Sequence, residues 1–377
     1  MGRDELAAWL RLLETPGIGR LSARRLLAAF GSPQAVFEAT LGARQQVVDA
    51  TQAHQLALIP TGLDDLVART WQWLQHDAGH ALLTLGDPLY PPALLTLTDP
   101  PLLIYCIGRL DRLLGLSVAV VGSRNPSAQG IENARLFSAD LSRAGLVVVS
   151  GLAMGIDGAA HDGALQGPAG TIAVVGTGLD QVYPSRHRAL AQRIAADGLI
   201  LSEFALGTPP LSANFPQRNR VIAGLTLGTL VVEAALRSGS LITARLASES
   251  GREVFAIPGS IHAPQSRGCH ALIKQGAKLV ESTQDILDEL LLDTGRYTRV
   301  HVEPPAATSL RPLPHTDDEQ DSDPVLRALG HGPATFDTLQ LRTGCSASDL
   351  NVQLLSLELS GRIERLPGQV FQRLVRA

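Results

Sequence analysis

Lysine is nearly missing from this chain. Of its 32 basic residues among 377, only Lys274 and Lys278 are lysine, and the other 30 are arginine. Genomic base composition accounts for such a bias, and the planar arginine fork also suits phosphates and base faces. Aromatic residues are sparse, at 4%, which excludes a long stacking platform. Charged residues make up only 18% and the net charge is −4, so the protein does not coat duplex DNA by bulk electrostatics. Any polyanion must be met by a local site. No apolar run reaches the roughly 18 residues of a membrane span, and the start, MGRDELAAWLRLLE, carries acids where a secretory leader carries bases. No membrane association is expected, and the cytoplasm is the expected location.

Chemical signatures are missing as well. The three cysteines, Cys106, Cys269 and Cys345, are scattered, with no CxxC and no zinc-finger spacing, so reduced structural thiols are expected. His262, Cys269 and His270 lie close in sequence but lack a fourth metal ligand. There is no GxxxxGK[ST], no GxGxxG opening a helix and no GxSxG elbow. ATP hydrolysis, nicotinamide chemistry and serine nucleophilic catalysis are therefore not expected. The reading is of a protein that is not an enzyme and holds no cofactor or metal.

What is present is a hydrophobic fraction of 45% in a chain too long for one core. Residues 1–85 read as short helices, with apolar positions at three- and four-residue spacing through Leu6, Leu10 and Leu13, then Leu26, Leu27 and Phe30. Between them lies Pro16-Gly17-Ile18-Gly19, followed by Arg20, Arg24 and Arg25. That pattern fits either a helix-hairpin-helix phosphate clip or an ordinary tight turn. Residues 86–298 carry short runs that are apolar on both faces, such as LSVAVVGS, LVVVSG, TIAVVGTG, LILSEF, TLVVEA and VFAIPG, separated by helix-length segments. They predict a doubly wound, Rossmann-like parallel α/β sheet. A stretch rich in proline and acid, residues 299–323, reads as a linker. Residues 324–377 have the helix and strand order of a winged helix.

In an open parallel sheet the ligand crevice lies at the carboxyl ends of the strands. Those ends are rich in glycine and arginine here: Gly122-Ser123-Arg124, Ser150-Gly151-Leu152-Ala153-Met154-Gly155, Gly176-Thr177-Gly178, Gly239-Ser240 and Ser266-Arg267-Gly268. Each alone is an ordinary tight turn. Their repetition on one edge predicts main-chain amides and helix N-termini that cradle phosphates. Arg124, Arg186, Arg188, Arg218, Arg220 and Arg267 would supply countercharge, which fits a chain of phosphates better than one nucleotide.

The motifs VVGSRNPS, SGLAMGIDGAAH, AVVGTGLDQVYPSRH, NFPQRNRVIAGL, VVEAALRSGSLITARLA, VFAIPGS and SRGCHALIKQGAKLV, in that order, resemble the DNA processing protein A (DprA/Smf) family over roughly residues 86–282. The resemblance implies a homodimer that binds single-stranded DNA without sequence preference during natural transformation, protects it and loads RecA recombinase. By residue, it implies a phosphate grip by Arg124, base stacking by Phe215 and contacts from Arg218, Asn219, Arg220 and Lys274. The glycine-rich ends Gly122, Ser123, Ser150, Gly151, Ala153 and Gly155 complete the expected DNA site, with Arg186 and Arg267. Ser212 stands where many members carry lysine and His270 where asparagine is usual, so binding leans more on Arg186, Arg188 and Arg267.

Two further readings complete the picture. A nucleotide N-glycoside hydrolase of the lysine-decarboxylase-like class shares the core, but its PGGxGTxxE loop lacks the proline and one glycine here. Glu233 is one residue late, and an ion pair to a crevice arginine is expected of it. The third helix of the winged helix, about residues 346–361, holds Asp349 and Glu358, so protein contact or self-association is favoured over duplex readout.

Overall fold

A computed structural model describes residues 1–293, 323–329 and 333–374. Most of the expected linker, 299–323, lies outside the described residues.

Six helices open the chain: α1 (Arg3–Glu14), α2 (Arg20–Phe30), α3 (Pro33–Glu38), α4 (Leu41–Gln45), α5 (Ala50–Gln55) and α6 (Leu63–His76). The shorter ones depend on their caps, because a helix of one or two turns leaves most of its end groups unpaired. Ser32, Thr40 and Asp49 accept from the amides of Ala35, Ala43 and Gln52. The apolar faces bury Leu6, Leu10, Leu26, Val36 and Leu56, and the same cluster continues into Leu103, Tyr105, Leu152 and Leu206 of the central domain. The first helices are therefore one wall of the α/β core.

The PGIG segment is a tight turn with Gly17 at φ +79°. Its following arginine is used within the protein: Arg20 pairs with Asp99 at 3.3 Å and Glu203 at 3.1 Å and donates to Gln217. Arg24 reaches the carbonyl of Thr98. Both arginines anchor the turn to the central domain.

Nine strands form the central sheet: β1 (His80–Thr84), β2 (Leu103–Gly108), β3 (Ser117–Val121), β4 (Val147–Ser150), β5 (Thr171–Val174), β6 (Leu199–Ser202), β7 (Gly228–Val231), β8 (Glu253–Ala256) and β9 (Lys278–Leu279). Their order is β1-β2-β6-β5-β4-β3-β7-β8-β9. From β6 to β9 every neighbour is parallel, as predicted, whereas β2 pairs antiparallel with both β6 and β1. The antiparallel pair was not legible in the sequence, because prolines at 91, 92, 100 and 101 punctuate the segment between its strands. The sheet thus begins at His80, inside the stretch assigned to the helical domain.

Helices α7 (Ala128–Arg143), α8 (Ile156–Ala164), α9 (Arg188–Asp197), α10 (Asn214–Leu225), α11 (Ser240–Glu249), α12 (Arg267–Lys274) and α13 (Thr283–Asp293) cover both faces. Alternate residues of β3 serve the two layers: Val118 and Val120 pack with α7 and α8, while Ala119 and Val121 pack with α10 and α11. The strands after β3 build outward on one side through β6, and those from β7 build on the other. The direction of winding reverses between β3 and β7, where such sheets place their ligand crevice.

The C-terminal winged helix comprises α14 (Pro324–Leu329), β10 (Ala334–Thr335), α15 (Phe336–Thr343), α16 (Ala347–Leu359), β11 (Ile363–Leu366) and β12 (Val370–Arg373). Its core is Val325, Leu339, Leu350, Leu354 and Phe371.

Candidate functional site

A cleft of about 730 Å³ opens at the reversal point, lined by residues after β3, β4 and β7 and by the exposed face of α10. Two glycine-rich loops meet at its floor. The first leaves β3 at Gly122. Ser123 is held on both sides, its amide donating to Glu233 O at 2.7 Å and its carbonyl accepting from Ile156 N at 3.1 Å. Its hydroxyl accepts from Asn125 N. A backbone fixed this way directs Arg124 outward, where its guanidinium carbon lies 5.5 Å from the centroid of the Phe215 ring, within cation–π reach.

The second loop, after β4, is closed upon itself. The Asp157 carboxylate accepts the amides of Gly151 and Ala153, and His161 Nε2 accepts that of Leu152. His161 Nδ1 faces Thr171 Oγ1 at 2.7 Å. The threonine hydroxyl is donated to Val148 O, so the ring proton sits on Nδ1 and the imidazole is neutral. Burial, with His187 and Arg218 nearby, pulls the His161 pKa down to about 3. His187 Nδ1 donates to Leu152 O. Together these groups hold Leu152 at φ +57°. Burial pushes the pKa of Asp157 up, opposed by Arg218 and the two amides.

Helix α10 supplies the cleft wall. Asn214 donates to Gly176 O at 3.0 Å and sets Phe215 half-buried across the cleft. Arg218, 4% exposed, donates to Gly151 O and Val174 O, tying the ends of β4 and β5 together. A Cβ at 151 would lie 2.1 Å from the Arg218 guanidinium, so any other residue there must displace that buried side chain. Burial lowers the Arg218 pKa to about 10, with Asp157 opposing, so it stays cationic at neutral pH.

These placements correct several expectations. The amides of Ser123, Asn125, Gly151, Leu152 and Ala153 all have acceptors within the protein, so these five are not turned toward a phosphate. Ser150 is fully buried, its hydroxyl donating to Val120 O. Gly155 packs against the first loop, where a Cβ would lie 2.4 Å from Ser123 O. Arg220 does not share the face of Arg218, since two residues of helix turn a side chain by about 200°. It pairs with Glu203 and Asp99 beside Arg20. Glu233 meets no crevice arginine; its carboxylate accepts the Ser127 amide and hydroxyl at the start of α7, which leaves the hydrolase reading without a free carboxylate. Lys274 is exposed at the C-terminal end of α12, toward the opposite edge of the sheet.

Gly122, Ser123, Arg124, Ala153, Phe215, Arg218 and Asn219 do line the cleft together. Arg186 and Arg267 are exposed outside its lining. Arg237, which follows β7, was not singled out in the sequence, whereas Tyr183, expected at the crevice with the strand end after TIAVVGTG, lines the cleft with its ring 5.6 Å from that of Phe215. The neighbouring of β7 and β3 would have marked Arg237, but strand order is not written in the sequence. Among the described residues no group of three or more His, Cys, Asp or Glu gathers as a metal site, and no helix is long and apolar enough to cross a membrane.

Residues 81–291 match the family model of DNA recombination-mediator protein A. The chain belongs to the DprA/Smf family. Residues 304–369 match the DprA winged helix domain. Protein Smf of Escherichia coli (strain K12) is 45% identical over 298 residues, covering 78% of each chain. DNA processing protein DprA of Streptococcus pneumoniae is 53% identical over 203 residues, which is 54% of this chain and 72% of that protein. An X-ray structure of the pneumococcal protein covers 75% of this chain and 97% of its own, at 40% identity and a TM-score of 0.66. A structure of DNA processing protein A from Helicobacter pylori, described for its single-stranded DNA binding mode, covers 57% of this chain and 96% of its own at 32% identity and a TM-score of 0.52. This DprA/Smf chain thus has the family's α/β domain and winged helix.

Proposed function

We propose that the cleft binds single-stranded DNA without sequence preference, and that the protein is a binder rather than an enzyme. The observation that carries this reading is the Arg124 guanidinium beside the Phe215 ring at the mouth of the cleft. Recognition that ignores sequence needs cations for the backbone and aromatic faces for the bases, because every base has a π face. Arg124 and the exposed Arg237 supply the charge. Among the described residues lining the cleft the only acid is Asp157, which is buried and bonded to two amides. Arg218 acts as a strut beneath the site. The single-strand binding mode described for the Helicobacter pylori relative supports the same reading.

Within that reading the protein protects incoming DNA during natural transformation, works as a homodimer and hands the strand to RecA recombinase. Membership in a recombination-mediator family supports these roles. The deciding experiment is a fluorescence-anisotropy titration of oligo(dT) and of duplex DNA across a range of salt. Tight binding of the single strand alone, with a log-log salt slope set by a few phosphates, is expected; equal affinity for duplex would overturn the proposal. Sedimentation tests the dimer. Displacement of a single-strand binding protein by RecA, measured with and without this protein, tests loading.

A further inference from the structure

We infer that Tyr183 is a second base-stacking residue, forming with Phe215 one aromatic wall on which two neighbouring unpaired bases rest. The inference builds on the single-stranded DNA reading and adds to it what tells a single strand from a duplex.

Tyr183 is 44% exposed, more than any other Phe, Tyr or Trp among the described residues. Tyr183 lines both a small hollow, with Leu152, Val175 and Leu179, and the cleft. The Tyr183 and Phe215 rings are 5.6 Å apart between centroids and tilted by 37°. They touch each other and leave no slot between them, so bases lie over the pair. The Arg124 guanidinium lies 5.5 Å from the centroid of the Phe215 ring. The row of Arg124, Phe215 and Tyr183 runs from the end of β3 to the loop after β5, across the strand ends. Arg186, three residues beyond Tyr183, is exposed.

The arrangement carries the discrimination. Bases of one strand in B-DNA lie face to face at a rise of about 3.4 Å, whereas two bases resting on neighbouring rings of one wall lie side by side and cannot face each other. A strand seated on both rings must spread its bases beyond the duplex stack, and only an unpaired strand does so at little cost.

The test compares oligo(dT) with an abasic oligonucleotide of equal length, titrated against the full chain by anisotropy. Tyr183→Ala is expected to weaken oligo(dT) binding about tenfold, inside the range for loss of one stacked base. It should change the affinity for the abasic strand less than twofold. Tyr183→Leu, which keeps apolar packing without a ring face, should behave as Tyr183→Ala, and Tyr183→Phe should match the wild type on both strands. Arg124→Ala should weaken both. An equal loss on the two strands, or full oligo(dT) affinity in Tyr183→Ala with a thermal melt like that of the wild type, overturns the role of Tyr183. Failure of the wild-type protein to bind oligo(dT) overturns the single-strand reading itself, and this inference with it.

Discussion

The loops after β3 and β4 are neighbours, both rich in glycine and small residues, and they do opposite things. The loop after β3 fixes Ser123 and puts a cation into solvent at Arg124. The loop after β4 turns its amides inward onto Asp157 and His161 and is braced from below by Arg218. One presents a side chain to the cleft and the other is the frame behind it. Glycine at a strand end therefore marks close packing at least as often as ligand approach, and the two are told apart by where the amides find their acceptors.

Substitutions can break that contrast. The largest effect is expected for Arg218→Met. Removing one partner from a buried charged cluster typically costs about 3–5 kcal/mol, because Asp157 and two main-chain carbonyls lose their cation. Urea unfolding should show that loss, while the salt slope of DNA binding by the folded fraction stays as in the wild type. A slope reduced as strongly as by loss of Arg124 would move Arg218 from the frame to the contact surface.

His161 gives the next effect. Its folded-state pKa is held near 3, against an unfolded value of 6.5, so below pH 6.5 the unfolded chain takes up a proton that the native state refuses. The stability tied to a neutral His161 is fully present above pH 6.5 and falls as pH drops toward 3. Between pH 7.5 and pH 5 the loss from this group is about 2 kcal/mol. Denaturation of the wild type at the two pH values, compared with His161→Gln, measures it. An identical pH dependence in the variant would show that the ring is accessible to protons.

Arg124→Ala should leave stability within about 0.5 kcal/mol, as expected of an exposed side chain. Oligo(dT) affinity should weaken about tenfold, roughly the loss of one charge-assisted contact, and the log-log salt slope should shrink by about 0.7. The smallest effect is assigned to Lys274→Ala, because α12 carries that residue away from the crevice edge. Affinity within twofold of the wild type is expected, and a tenfold loss would place the DNA path across the far edge of the sheet.

The parallel sheet, the winged helix and the place of Arg124 at a strand end were legible in the sequence, because apolar runs and strand-end composition are local signals, whereas Phe215 was singled out only by the resemblance to the DprA/Smf motifs. Arg218 and Arg220 show what was not. Both follow Phe215 closely and look equivalent as letters, but helix phase turns one toward the strand ends and the other toward Glu203. Arg237 became visible only once strands distant in sequence had been placed side by side. The β1–β2 pair stayed hidden because proline breaks its segment, and its partner β6 comes about ninety residues later.

The close crossing at Gly151 also bears on how mutational scans of this protein should be read. Where a methyl group would collide with the Arg218 guanidinium, nearly every substitution is expected to score as loss of function, as severely as changes in Arg124. A functional screen would rank the two positions together, although Arg124 is an exposed side chain of the cleft and Gly151 only leaves room for a neighbour. Abundance measured alongside activity separates them: low for the glycine variants, normal for those of Arg124.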